Sequence, residues 1–133
     1  MGFDQYHEPP EELSAEARSY ARICVSLTEE AEAIGWYQQR LALETDPEAR
    51  AIMEDAQGEE FKHFAMDLEF LLRRTPRWRE IAKGVLFRDG DIVAHGEAAE
   101  EGSEDTSSGE ASGGSAIPAD GSLGIGSLKG ESQ

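Results

Sequence analysis

Glu60 and His63 lie three residues apart. On a helix that spacing puts a carboxylate and an imidazole one turn apart on a common face. Carboxylate oxygens and an imidazole nitrogen together suit Fe²⁺, Mn²⁺ or Zn²⁺. Helical bundles that hold two metals combine Glu-x-x-His pairs with single Glu residues from other helices. Glu30 is the candidate for that single Glu. The series Ile23, Leu27, Glu30, Ile34, Tyr37 and Leu41 steps by four and three, so Glu30 stands in an apolar row. A buried, unpaired carboxylate costs several kcal/mol even after relaxation. Glu30 therefore either reaches solvent or meets a positive charge, and Glu60 and His63, between Ala56 and Phe70, pose the same question. One chain carries one such set, whereas a two-metal site needs about twice as many ligands. A twofold dimer supplying Glu30, Glu60 and His63 from each copy would complete it. With 20 Glu and 3 His in the chain, a solvated helix face or a hydrogen-bonded core histidine accounts for the pair about as well.

A second acidic group precedes Trp36 and Tyr37. Glu29, Glu30 and Glu32 fall within one turn, and their mutual repulsion favours a nearby cation. Glu29 and Glu32 share a face offset from Glu30. Alone they read as a solvated acidic surface; beside a metal site they would collect cations. Tyr37, two turns after Glu30, is placed to hydrogen-bond a ligand, and packing is the other role open to Trp36 and Tyr37. His7 and His95 fall outside the long helical patterns and read as bystanders.

The elements that must position these groups are helices. From Leu13 the positions Ala17, Tyr20, Cys24, Leu27, Ala31, Ile34 and Leu41 mark one face, with Gln38 filling the missing step. Asp46-Pro47 ends this helix and opens the next, Asp46 as N-cap and Pro47 at the first helical position. The second helix runs to about Arg74. Thr75-Pro76 repeats the signal and opens a shorter third helix with Trp78, Ile81, Ala82, Val85 and Leu86. Asp89-Gly90 is a turn, and Ile92-Val93-Ala94 is too short to type. A helix of about 30 residues is roughly 45 Å long. The first two, joined by two or three residues, form an antiparallel hairpin. The fold class is all-α: a two-helix hairpin plus a short third helix, with a four-helix bundle formed only on dimerisation.

The 133 residues carry 28 Asp+Glu against 12 Lys+Arg, a net charge of -16. That argues against nucleic acid or an anionic membrane as partner, since both need a basic face. No apolar run reaches the length of about 18 residues that spans a bilayer, and the first ten residues lack the pattern of a secretory signal. A single cysteine, Cys24, fits a reducing cytoplasm. Residues 96–133 hold nine Gly, eight Ser and no aromatic, a composition expected to stay disordered. The expected organisation is a helical domain over residues 1–95, a linker over 96–121 and an apolar-tipped peptide over 122–133. Leu123, Ile125 and Leu128 in that peptide could dock into a groove on another protein. A flexible coil over 96–121 would reach about 28 Å.

The stretch Glu-Glu-Ala-Glu-Ala-Ile-Gly-Trp-Tyr-Gln-Gln-Arg (29–40), followed by Glu-Glu-Phe-Lys-His-Phe-Ala-Met-Asp-Leu-Glu (59–69), resembles the encapsulated ferritins. His7-Glu8-Pro9 and Leu86-Phe87 fit the same pattern, and residues 121–130 resemble the peptides that target cargo into encapsulin shells. The resemblance implies a ferroxidase that oxidises Fe²⁺ to Fe³⁺ at a di-iron centre between two subunits. Glu30, Glu60 and His63 would then be the iron ligands, with Tyr37 beside them. Glu29 and Glu32, with Trp36 nearby, would form an outer site where metal enters, a place that also suits Ca²⁺ or Zn²⁺. It further implies a homodecameric ring built from dimers, lodged in an encapsulin nanocompartment of the cytoplasm through residues 122–130, with the shell storing the mineral. Gly35 and Gly58 stand where the family pattern leads us to expect acids, and Phe61 and Phe64 are bulkier or less polar than expected. Two other readings remain open on the residues alone: a non-catalytic acidic interaction protein, or a structural Zn²⁺ or Ca²⁺ site at a dimer interface.

Overall fold

A computed structural model describes residues 6–110, with side chains through Glu104. Among these the chain is all-helical. After a single 3-10 turn at Pro10–Glu12 come α1 (Ala15–Leu43), α2 (Pro47–Arg74), α3 (Pro76–Val85) and α4 (Ile92–Glu110). Helix α1 starts two residues later than the periodicity suggested. The reason is local: Leu13 is extended, and the Ser14 side chain accepts from the Ala17 N–H as an N-cap. Asp46 caps α2 in the same way through Ala49, with Pro47 behind it. Thr75 holds the N-cap position of α3 without capping it. Its hydroxyl instead donates to the Leu71 carbonyl and pairs with the Tyr20 hydroxyl at 2.8 Å, tying the start of α1 to the end of α2.

Helices α1 and α2 form the expected antiparallel hairpin. Its turn is satisfied from within. Glu44 Oε1 accepts from the Thr45 and Asp46 N–H groups, and Arg50 reaches back to the Leu41 and Glu44 carbonyls. Along the shared face Gln57 is buried and donates to the Ile34 carbonyl and to Gln38 Oε1, so the polar step at Gln38 finds its partner across the hairpin. Buried apolar side chains are few among the described residues: Leu41, Leu71 and Leu72, of which Leu71 alone is fully buried. Trp36, Leu43, Ile52, Phe61 and Met66 remain largely exposed on the hairpin. Gly35 and Gly58 lie within unbroken helix with open space where a Cβ would point.

Beyond the hairpin the structure differs from the sequence reading. A linker was expected from residue 96, after three helices; a fourth helix, Ile92–Glu110, passes through that boundary and packs on α3. Its start is capped locally, for Asp91 accepts from the Ala94 N–H and the His95 ring bonds the Asp89 carbonyl at 2.9 Å. Gly90 makes the preceding turn at a φ of 102°, a conformation open to glycine. The small residues that read as disorder let the two helices approach closely: a Cβ on Gly84 would lie 2.4 Å from that of Ala99. The peptide at 122–133 and residues 111–121 of the expected linker lie outside the described residues.

Candidate metal centre

The centre is built where α1 and α2 face one another about halfway along the hairpin. Antiparallel packing from a tight turn brings residue 30 opposite residues 60 and 63. Ligand atoms of Glu30, Glu60 and His63 all fall within 4.8 Å of one another. His63 Nδ1 stands 3.6 Å from Glu30 Oε2 and 3.6 Å from Glu60 Oε2. Side-chain exposure is 18% for Glu30, 25% for Glu60 and 45% for His63, so the cluster sits at an edge of the hairpin open to a further copy or to solvent.

The electrostatics are those of a site short of positive charge. The Glu30 carboxyl is pushed up to about 7. Contact with the Glu60 carboxyl contributes most, then burial, then the negative charges of Glu60 and Asp67; the His63 imidazole opposes them. A carboxyl raised by a neighbouring carboxyl marks a place where a cation can replace its proton. The donor set, two carboxylates and one imidazole nitrogen, matches a divalent transition metal.

Other residues singled out from the sequence are placed less centrally. Glu29 and Glu32 are exposed on α1, three residues apart. Trp36 is 55% exposed. Tyr37 is half-buried, with the Arg40 guanidinium 5.3 Å from its ring centroid. His95 lies away from the cluster, its ring bonded within the α3–α4 turn. Burial pushes the Cys24 thiol up, which disfavours the thiolate.

Two polar residues on α2 escaped the sequence reading. Gln57 is one. The other is Asp67, whose Oδ2 is shielded from solvent and has no hydrogen-bond donor. Burial raises its carboxyl, and the His63 imidazole offsets part of that rise. Its spacing from Glu60 and His63, seven and four residues, was the available signal. In so acidic a chain it did not stand out.

Fold and cluster together define a class: an all-helical hairpin protein carrying a carboxylate–imidazole cluster between its two long helices. The chain belongs to the EncFtn-like family, which matches residues 5–89. It is 47% identical over 125 residues to the "Encapsulated ferritin-like protein" of Rhodospirillum rubrum, covering 94% of this chain and 88% of that protein. It is 44% identical over 103 residues to the "Ferritin-like protein" of Thermotoga maritima, covering 77% of this chain and 90% of that one. Among solved structures, protein ne0167 of Nitrosomonas europaea is similar at a TM-score of 0.64 and 40% identity, covering 67% of this chain and 98% of that chain.

Proposed function

We propose that this protein is a ferroxidase that oxidises Fe²⁺ with dioxygen at a di-iron centre shared by two copies of the chain. The observation that carries the reading is the convergence of Glu30, Glu60 and His63 within 4.8 Å, with the Glu30 carboxyl raised by its contact with Glu60. One chain offers too few ligands for two irons, and the same three from a twofold partner supply the rest. The exposed apolar side chains of the hairpin, Phe61 and Met66 among them, give such a partner a surface to cover. Fe²⁺ is the substrate. Carboxylates offset the charge of two bound ions, His63 binds through a neutral nitrogen, and dioxygen takes one electron from each iron. Tyr37, steadied by Arg40, lies seven residues after Glu30 on the same helix and completes the surroundings. Glu29, Glu32 and Trp36 form the outer site where cations collect, and their exposure on α1 suits that role, for Ca²⁺ or Zn²⁺ as well as Fe²⁺.

In this reading the copies assemble as dimers into a decameric ring inside an encapsulin compartment, held by residues 122–130. The match to the Rhodospirillum protein supports the last point: covering 94% of this chain, it extends beyond residue 89 into the C-terminal stretch. The test is Fe²⁺ oxidation in air by the purified protein beside Glu60→Ala and His63→Ala. Rapid oxidation lost in both variants is expected. A parent protein no faster than buffer would leave a non-catalytic binding protein. Removing residues 121–133 should leave oxidation intact and abolish co-purification with a co-expressed shell protein.

A further inference from the structure

Asp67 is a charged group that neither the hairpin's packing nor the three proposed ligands account for. Its Oδ2 is shielded from solvent and no donor reaches it. Such an oxygen costs stability wherever it serves no purpose. Side chains on a helix lean toward its N-terminus. Asp67 therefore leans over the turn of His63, as His63 leans over the turn of Glu60. His63 turns Nδ1 toward the two glutamates, which leaves Nε2 as the nitrogen away from the cluster. The charge of Asp67 reaches both sides of the centre, for it acts on Glu30 across the hairpin as well as on His63.

We propose that Asp67 is a positioning residue of the metal centre, placing a negative charge behind the His63 imidazole so that the ring orients toward, and holds more tightly, a divalent cation bound by Glu30, Glu60 and His63. Carboxylates that accept a hydrogen bond from the outer nitrogen of a metal-bound histidine commonly contribute about 10–100-fold in affinity, and the charge of Asp67 near the ring acts in the same sense, toward the lower end of that range. This rests on the metal-centre reading above. It assigns Asp67 a cost and a benefit of opposite sign: the lone carboxylate weakens the metal-free fold and strengthens the loaded one.

The experiment is a Co²⁺ titration of the full chain, followed by the cobalt absorption bands, on the parent protein, Asp67→Asn, Asp67→Glu and His63→Ala. Melting curves of each metal-free protein accompany it. Asp67→Asn should bind Co²⁺ about tenfold more weakly, with a metal-free melting midpoint equal to or above that of the parent. Asp67→Glu should recover part of the affinity. Parent-like affinity in Asp67→Asn, while His63→Ala loses binding, would overturn the assignment and leave the centre standing. A lowered midpoint in metal-free Asp67→Asn would make Asp67 a structural residue and overturn it as well. If the parent shows no cobalt bands, or His63→Ala keeps them, the centre itself fails and this role with it.

Discussion

The hairpin and the α3–α4 arm solve the same packing problem in opposite ways. In the arm, small residues let two helices press together: a Cβ on Gly84 would run into Ala99, whereas one on Gly96 would meet Val85 at an ordinary contact distance of 4.0 Å. Its ion pairs, Arg77 with Glu104 and Lys83 with Glu80 among them, stay on the surface. In the hairpin, the facing surfaces carry Gln38, Gln57, Glu30, Glu60, His63 and Asp67, and apolar burial is confined to a few positions. A fold seeking stability alone would have placed apolar side chains there. The difference separates the part of the chain that holds shape from the part that holds chemistry.

The largest effect that would sharpen this contrast comes from Gly84→Val. The added bulk meets Ala99, and overpacking of this kind costs about 2 kcal/mol. Chemical denaturation should show that loss while Co²⁺ binding stays at the parent value; a matching loss of binding would mean that the two regions are not separate. Gln57→Leu should cost less, about 1 kcal/mol, by removing the donor to the Ile34 carbonyl and Gln38. Here the denaturation midpoint should fall, and an unchanged midpoint would show that the polar bridge contributes nothing.

The third test is one of pH. Glu30 keeps its proton up to about 7 in the folded chain, against 4.5 for the free group. Between those values the folded state binds more protons, so the stability of the metal-free protein should fall as pH rises through the window. Burial of Asp67 acts in the same direction. Divalent cation binding should run the other way, strengthening toward pH 7 as the competing proton leaves. Denaturation midpoints of the metal-free parent and Glu30→Gln at pH 4.5 and pH 8 check the sign; a slope equally steep in the variant would remove Glu30 as its source.

What could be read from the sequence follows the range of the interactions involved. Helix α2 was legible at both ends because Asp46, Pro47 and Pro76 act on their own neighbours. The grouping of Glu30 with Glu60 and His63 was legible because each stands among apolar positions and the short turn makes the two helices antiparallel neighbours. Helix α4 was hidden, since its Gly and Ser content signals disorder until α3 is present to receive those small residues. Asp67 was hidden for a different reason. Its importance lies in lacking a partner, which no sequence pattern records.

The turn at residues 44–46 has a kinetic consequence. Because Glu44 and Arg50 satisfy its backbone from within, the hairpin can start there and grow outward, each step closing a loop only slightly longer than the one before. Such zippering avoids the entropy of joining distant segments in one step, and local topologies of this kind fold in microseconds to milliseconds. Glu30 and Glu60, far apart along the chain, would thus meet early, soon after the turn has formed.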